Sequence, residues 1–157
     1  MAARWESNRV MDYRTVGRPM EILLVEDDLE DAGITIDALR TGHVRCRVSL
    51  VRDGDEALEF LHQQHIYARA PRPDLILLDL HLPKRSGREV LEEVKADPAL
   101  ERIPVVVLTS STIHEEILRQ QDLHVESYLT KPVDLEQFVA VVRSLRRYLL
   151  ADVILPQ

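Results

Sequence analysis

The ten residues Asp74-Leu75-Ile76-Leu77-Leu78-Asp79-Leu80-His81-Leu82-Pro83 constrain the fold of this chain more than any other stretch. The run of Leu and Ile between Pro73 and Pro83 is too short for a free-standing helix. It reads instead as a strand buried on both faces, as strands are in a parallel sheet covered by helices. Asp79 then falls at the strand's C-terminal end, the edge at which open α/β sheets bind ligands. Taken alone, such an Asp is more readily a helix cap or the start of a turn. What the other strand ends carry decides between the readings.

The same grammar recurs along the chain. Glu21-Ile22-Leu23-Leu24-Val25 is a buried-strand run that ends in the acids Glu26-Asp27-Asp28. Leu29, Ala32, Ile36 and Leu39 follow at helical spacing, and Thr41-Gly42 supplies a stop. Residues 44–51 form a more polar strand, after which Asp53 and Glu56 offer a capping-box-like start for a helix carrying Ala57, Leu58 and Leu61. Ser86-Gly87 leads into a helix with Val90, Leu91 and Val94 on one face, closed by Asp97-Pro98. Pro104-Val105-Val106-Val107-Leu108 is the next buried strand and ends at Thr109-Ser110-Ser111, with Thr112 and Glu115 capping a further helix. Ser127-Tyr128-Leu129-Thr130 is a short last strand ending at Lys131-Pro132, and Leu135, Phe138, Val139, Val142 and Leu145 give the final helix its apolar face.

About five strand–helix units predict an α/β fold, a doubly wound five-stranded parallel sheet of order 2-1-3-4-5. Right-handed crossovers place every strand's C-terminus on one edge. With 157 residues the chain has room for one well-buried core, assigned to residues 20–150. Residues 1–19 show no helical or strand period and read as an extension outside that core, on which Trp5 could anchor to the core or to a partner; residues 151–157 form a tail.

A formal charge of -7 argues against a nucleic-acid or anionic-membrane surface, so protein partners are expected. Cys46 is the single cysteine, so there is no disulfide or Cys-based metal spacing to read. No apolar segment is long enough to span a bilayer, and the N-terminus lacks the apolar core of a secretory signal, so a cytoplasmic location is expected. The absence of a Gly-rich loop after the first strand argues against a dinucleotide or P-loop site. His62 and His65 share a helical spacing but have no third ligand in view, and with Glu92-Glu93 and Glu115-Glu116 they read as solvated helix faces.

In the 2-1-3 order, Glu26, Asp27 and Asp79 converge in one pocket. Uncompensated, these carboxylates would repel and raise one another's pKa. A hard divalent cation, Mg²⁺, resolves the conflict, since it takes oxygen ligands and is usually held by one or two carboxylates plus a phosphate. Thr109 and Lys131 arrive from the other side of Asp79, a hydroxyl and an ammonium placed to meet a phosphoryl group. The pocket therefore reads as a site of phosphoryl transfer to Asp79.

These residues carry a resemblance. Leu24-Val25-Glu26-Asp27, Asp79 followed by Leu82-Pro83 and Ser86-Gly87, Thr109, and Tyr128 ahead of Lys131-Pro132 make residues 21–150 similar to the receiver domains of two-component response regulators, whose fold is flavodoxin-like. The resemblance implies that Asp79 is the phosphoacceptor, that Asp27 binds Mg²⁺ directly and Glu26 through water, and that the backbone carbonyl of His81 is a further ligand. It also implies that Lys131 pairs with the phosphate, that Thr109 and Tyr128 form the conformational switch, and that the Lys131-Pro132 bond is cis. The chain departs from the family pattern at Glu26, where Asp is commoner, and at Leu123-His124-Val125-Glu126, where a small Gly-Ala pair is usual. The latter string and the apolar tail ending Leu155-Pro156 resemble single-domain regulators of cyanobacterial phytochromes, implying a phytochrome-like histidine kinase as partner and no output domain.

Two other readings compete. A haloacid-dehalogenase-type phosphatase also uses a strand-end Asp, Mg²⁺ and Lys, but it needs a second Asp two residues on, where this chain has His81. A degenerate receiver acting as a constitutive binding module would lack some of the phosphorylation residues, all of which are here. Beyond the core stripe of the last helix, Val141, Tyr148, Leu149, Leu150, Val153, Ile154 and Leu155 add apolar surface. A homodimer through that helix and the tail is expected, the alternative being a tail that folds back and buries these residues on its own domain.

Overall fold

The computed structural model describes residues 2–6, 17–42, 44–110 and 125–145. In chain order the elements are β1 (Ala3–Glu6), β2 (Met20–Val25), α1 (Leu29–Thr41), β3 (Cys46–Val51), α2 (Gly54–Leu61), β4 (Leu75–Asp79), α3 (Gly87–Ala96), β5 (Val105–Thr109), β6 (Ser127–Thr130) and α4 (Leu135–Ser144). The expected helix after Thr112 and the apolar tail, with Tyr148 and residues 153–155, lie outside the described residues.

The sheet runs β1-β3-β2-β4-β5-β6. Its last five members are parallel and reproduce the order 2-1-3-4-5 when counted from β2. Alternate residues of each buried strand feed the two faces. Ile22, Leu24 and Leu77 meet Ile36 and Leu39 of α1 and Phe138 and Val142 of α4, while Leu23, Ile76 and Leu78 meet Ala57, Leu61, Leu91 and Val94 of α2 and α3. A strand covered on both sides has no polar face, which explains the uninterrupted Leu and Ile of the sequence.

The helices start where local chemistry says they should. The Asp28 side chain accepts from the Glu30 and Asp31 N–H groups, Asp53 from Glu56, Ser86 from Glu89, and Asp134 from Glu136. At α2 the reciprocal half of the box shifts by one residue, because Glu56 Oε2 accepts from the Arg52 N–H at 3.2 Å. Each cap satisfies donors that a helix's first turn leaves without partners and contributes about 1 kcal/mol.

The sheet has one strand more than expected. Ala3–Glu6 pairs antiparallel with β3, so part of the extension belongs to the sheet. Trp5 is half-buried against the α1/α4 side of the core. On the opposite face, Arg4 and Arg47 reach Glu21 Oε1 at 2.9 and 3.5 Å. Arg18 grips buried Asp74 with two hydrogen bonds of 2.7 and 2.8 Å, and Asp74 Oδ2 also accepts the Glu21 N–H at 2.8 Å. A four-residue strand is too short to display a period, and what orders it is the free edge of β3. Trp5→Ala should cost about 1–2 kcal/mol for the lost apolar burial. Chemical denaturation checks this, and an unchanged midpoint would mean that the strand only rests on the sheet.

Three apolar positions differ from expectation. Leu29 remains 58% exposed, because α1 begins past the C-terminal edge of β2 where no sheet lies beneath it. Val139 and Val141 are both partly buried, and of the two it is Val141, expected as extra surface, that packs against the core. Among the described residues the exposed large apolar side chains are Leu29, Ile34 and Ile66, none of them on α4.

Candidate functional site

The C-terminal ends of four parallel strands furnish one pocket. β2 runs out into Glu26 and Asp27, β4 ends at Asp79, β5 at Thr109, and β6 hands over to Lys131. Register does the positioning: Val25 pairs with Leu78, Asp79 with Leu108, and Thr109 with Thr130. The third acid of the run, Asp28, turns away to cap α1, leaving Glu26 and Asp27 for the pocket. The Lys131 N–H donates to the Thr109 carbonyl at 2.7 Å, and the Lys131-Pro132 bond is cis. On the other flank Gly87 opens α3 against the end of β4, its N–H donating to the Leu80 carbonyl at 3.2 Å.

Ligand oxygens of Glu26, Asp27 and Asp79 lie within 4.8 Å of one another. Asp79 Oδ1 accepts the His81 N–H at 2.9 Å, and Asp79 Oδ2 accepts from Lys131 Nζ at 3.0 Å. The same ammonium donates to Glu26 Oε1 at 2.6 Å and to Asp31 Oδ2 at 3.1 Å. Glu26 is 1% exposed, and its Oε2 has no hydrogen-bond partner among the described residues. A buried carboxylate oxygen without a protein partner, beside two further carboxylates, is a set of hard oxygen donors suited to a small divalent cation.

Three carboxylates and one ammonium crowd the pocket and shift one another's charges. Burial pushes the Glu26 carboxyl up to about 8, reinforced by the hydrogen bond and repulsion it shares with Asp79 and opposed by Lys131. Burial would also raise Asp79, but hydrogen bonds from Glu26, the His81 N–H and Lys131 outweigh it and hold Asp79 below the usual carboxylate value. Burial acts to lower Lys131, yet its bonds to Glu26, Asp79 and Asp31 hold it above the ordinary lysine value.

This gives a pH dependence with a definite sign. The folded protein binds the Glu26 proton more tightly than the unfolded chain, whose value is 4.5. The contribution to stability is full below about 4.5 and is lost as pH rises through about 8. Thermal melts in chelator should therefore show Tm falling by several degrees from about pH 5 to about pH 9. Saturating Mg²⁺ should flatten the fall, because binding displaces that proton. A Tm that rises across the window in chelator contradicts the assignment.

Of the other residues singled out in the sequence, Thr109 is buried at the pocket's floor as the last residue of β5. Tyr128 lies further back on β6, opposite Val107 and partly exposed. His81 contributes its backbone N–H to Asp79. His62 and His65 do not form a pair: His62 Nε2 lies 3.2 Å from Asp97 Oδ2, and His65 Nδ1 lies 3.8 Å from Glu59 Oε2. The residue that sequence reading missed is Asp31. Its only signal is its place one helical turn beyond Asp27, in the first turn of α1.

A parallel sheet that presents an acidic triad and a lysine at one edge defines a class, the phosphoryl-accepting α/β switch domains. Comparison with known proteins narrows it. Residues 22–143 match the response regulator receiver domain, and the chain belongs to that family. It is 45% identical over 138 residues to response regulator Rcp1 of a Synechocystis species, covering 88% of this chain and 94% of that protein. Among solved structures it is similar to the phosphorylated cyanobacterial phytochrome response regulator RcpA, with 47% identity, a TM-score of 0.68, and coverage of 88% of this chain and 99% of that one. It is likewise similar to the Mn²⁺-bound form of Rcp1, with 45% identity, a TM-score of 0.67, and coverage of 88% and 100%. The protein is a response-regulator receiver that accepts a phosphoryl group, and its acidic triad has the donor set of a divalent-cation site. Among the described residues no helix is long and apolar enough to cross a membrane.

Proposed function

We propose that Asp79 is the phosphoacceptor, served by a phytochrome-type histidine kinase in a Mg²⁺-dependent reaction in the cytoplasm. The observation that carries the reading is the Lys131 ammonium, 3.0 Å from Asp79 and 2.6 Å from Glu26. Asp27, Asp79 and the His81 carbonyl would hold the cation, with Glu26 acting through water. The bound cation supplies charge neutralisation for the carboxylates and for the phosphoryl oxygens.

Asp79 reacts as a carboxylate. One oxygen attacks phosphorus in line with the leaving imidazole of a phosphohistidine; the P–N bond breaks as the O–P bond forms, and the imidazole nitrogen takes up a proton. Lys131 turns to the new phosphoryl oxygens, and the Thr109 hydroxyl donates to another. Thr109 and Tyr128 carry the signal, since only contacts present in the phosphorylated state can shift the equilibrium between two conformations. The product is a modified switch whose output is altered protein contacts, not turnover of a substrate. Self-association through the last helix and tail belongs to the same reading, and sedimentation of the full chain tests it.

The test is phosphotransfer. Incubation with a phosphorylated phytochrome-type kinase, or with acetyl phosphate, should add one phosphoryl group by intact mass with Mg²⁺ and none with chelator. Steady release of phosphate from a generic phosphate ester would point instead to a phosphatase.

A further inference from the structure

An ammonium has three hydrogens, and Lys131 Nζ has three carboxylates within hydrogen-bond distance: Glu26 at 2.6 Å, Asp79 at 3.0 Å and Asp31 at 3.1 Å. Glu26 and Asp79 also belong to the candidate cation site; Asp31 does not. A lysine that closes fully on Glu26 and Asp79 acts as an internal counter-ion and competes with a divalent cation for the same oxygens. Asp31 has the opposite character. Its side chain is 40% exposed at the pocket's rim, against 1% for Glu26. Its backbone is pinned independently of the site, because the Asp31 N–H donates to the Asp28 cap at 3.1 Å.

We propose that Asp31 is a positioning residue that draws the Lys131 ammonium toward the rim, freeing Glu26 and Asp79 for the cation and keeping Lys131 poised for a phosphoryl group on Asp79. The inference deepens the cation-site reading and rests on it. When the cation takes Asp79 directly and Glu26 through water, Lys131 loses those partners and meets a like charge, and Asp31 remains as its anchor at the mouth of the pocket. A carboxylate in the first turn of α1 suits the task, since the turn is rigid and favours negative charge.

The test is a double-mutant cycle read by cation binding in the full chain, with Mn²⁺ titrated by the resonance of the free ion and Mg²⁺ by calorimetry. Asp31→Asn and Asp31→Ala should each weaken Mn²⁺ binding about three- to fivefold, and Asp31→Glu should recover most of the loss. Lys131→Ala should tighten binding, and adding Asp31→Asn to it should change affinity no further. Melting curves establish that each variant is folded. An equal loss from Asp31→Asn with and without Lys131 would mean that its charge acts on the cation directly, and an unchanged affinity would mean that Lys131 needs no anchor; either overturns the proposal. Wild-type protein that binds neither ion overturns the site reading and the proposal together, an outcome distinct from the other two.

Discussion

Asp79→Asn should reduce phosphoryl labelling by a kinase or by acetyl phosphate to background while leaving the fold intact. An amide nitrogen or oxygen does not form an acyl phosphate, and no neighbouring acid stands in the same place. Glu26 is buried, its carboxyl is pushed up by that burial, and it is bound to Lys131. Asp31 sits at the rim and lies outside the acidic triad. Stability should change little, because the loss of the Asp79 charge, which Lys131 and the His81 N–H favour, offsets the relief of crowding among the three carboxylates. Intact mass and melting temperature together read the result. A variant that still gains one phosphoryl group would assign the acceptor role to another carboxylate.

Gly87→Ala should have the largest structural effect among single substitutions at the site. A Cβ at Gly87 would lie 2.4 Å from the Asp79 carbonyl oxygen and 2.5 Å from Leu80 Cα. Both are backbone atoms at the end of β4, so neither can rotate away, and α3 must shift off the strand that presents Asp79. Overpacking of this kind costs roughly 1–3 kcal/mol, which for a chain of this size lowers Tm by about 2–4 °C per kcal/mol. Cation affinity should fall as well, because the strand end that moves carries a ligand. Gly33→Ala is the control: nothing lies within 4 Å of its Cβ, and it sits inside α1. There alanine should stabilise by about 0.5–1 kcal/mol. Equal melting temperatures for the two variants would refute the close-packing argument.

The sequence alone determined what is written within a few residues of chain. Uninterrupted apolar runs that stop at acids were enough for parallel strands with carboxylates at their ends, because burial on both faces leaves no polar side. The helix starts at Asp53 and Ser86 could be placed because a cap bonds to a donor two or three residues on, whereas Asp28 and Asp134 show themselves as caps only in the structure. With strand order fixed by crossover rules, the convergence of Glu26, Asp27, Asp79 and Lys131 followed, and the geometry brings them together.

Only the tertiary structure decided the rest, and each case depends on partners distant along the chain. Ala3–Glu6 becomes a strand because β3 offers a free edge, and Arg18 is ordered by Asp74, 56 residues on. Leu29 keeps the helical spacing of a core residue yet stays exposed, since spacing gives its angle around α1 but not where the sheet beneath it ends. Val139 and Val141 are both partly covered, yet it is Val141 that touches the core cluster, a choice made by how α4 lies on the sheet. Asp31 meets Lys131 across 100 residues. Periodicity and capping are local and can be read in order along the chain; the reach of one ammonium among three carboxylates is set by packing that no short stretch encodes.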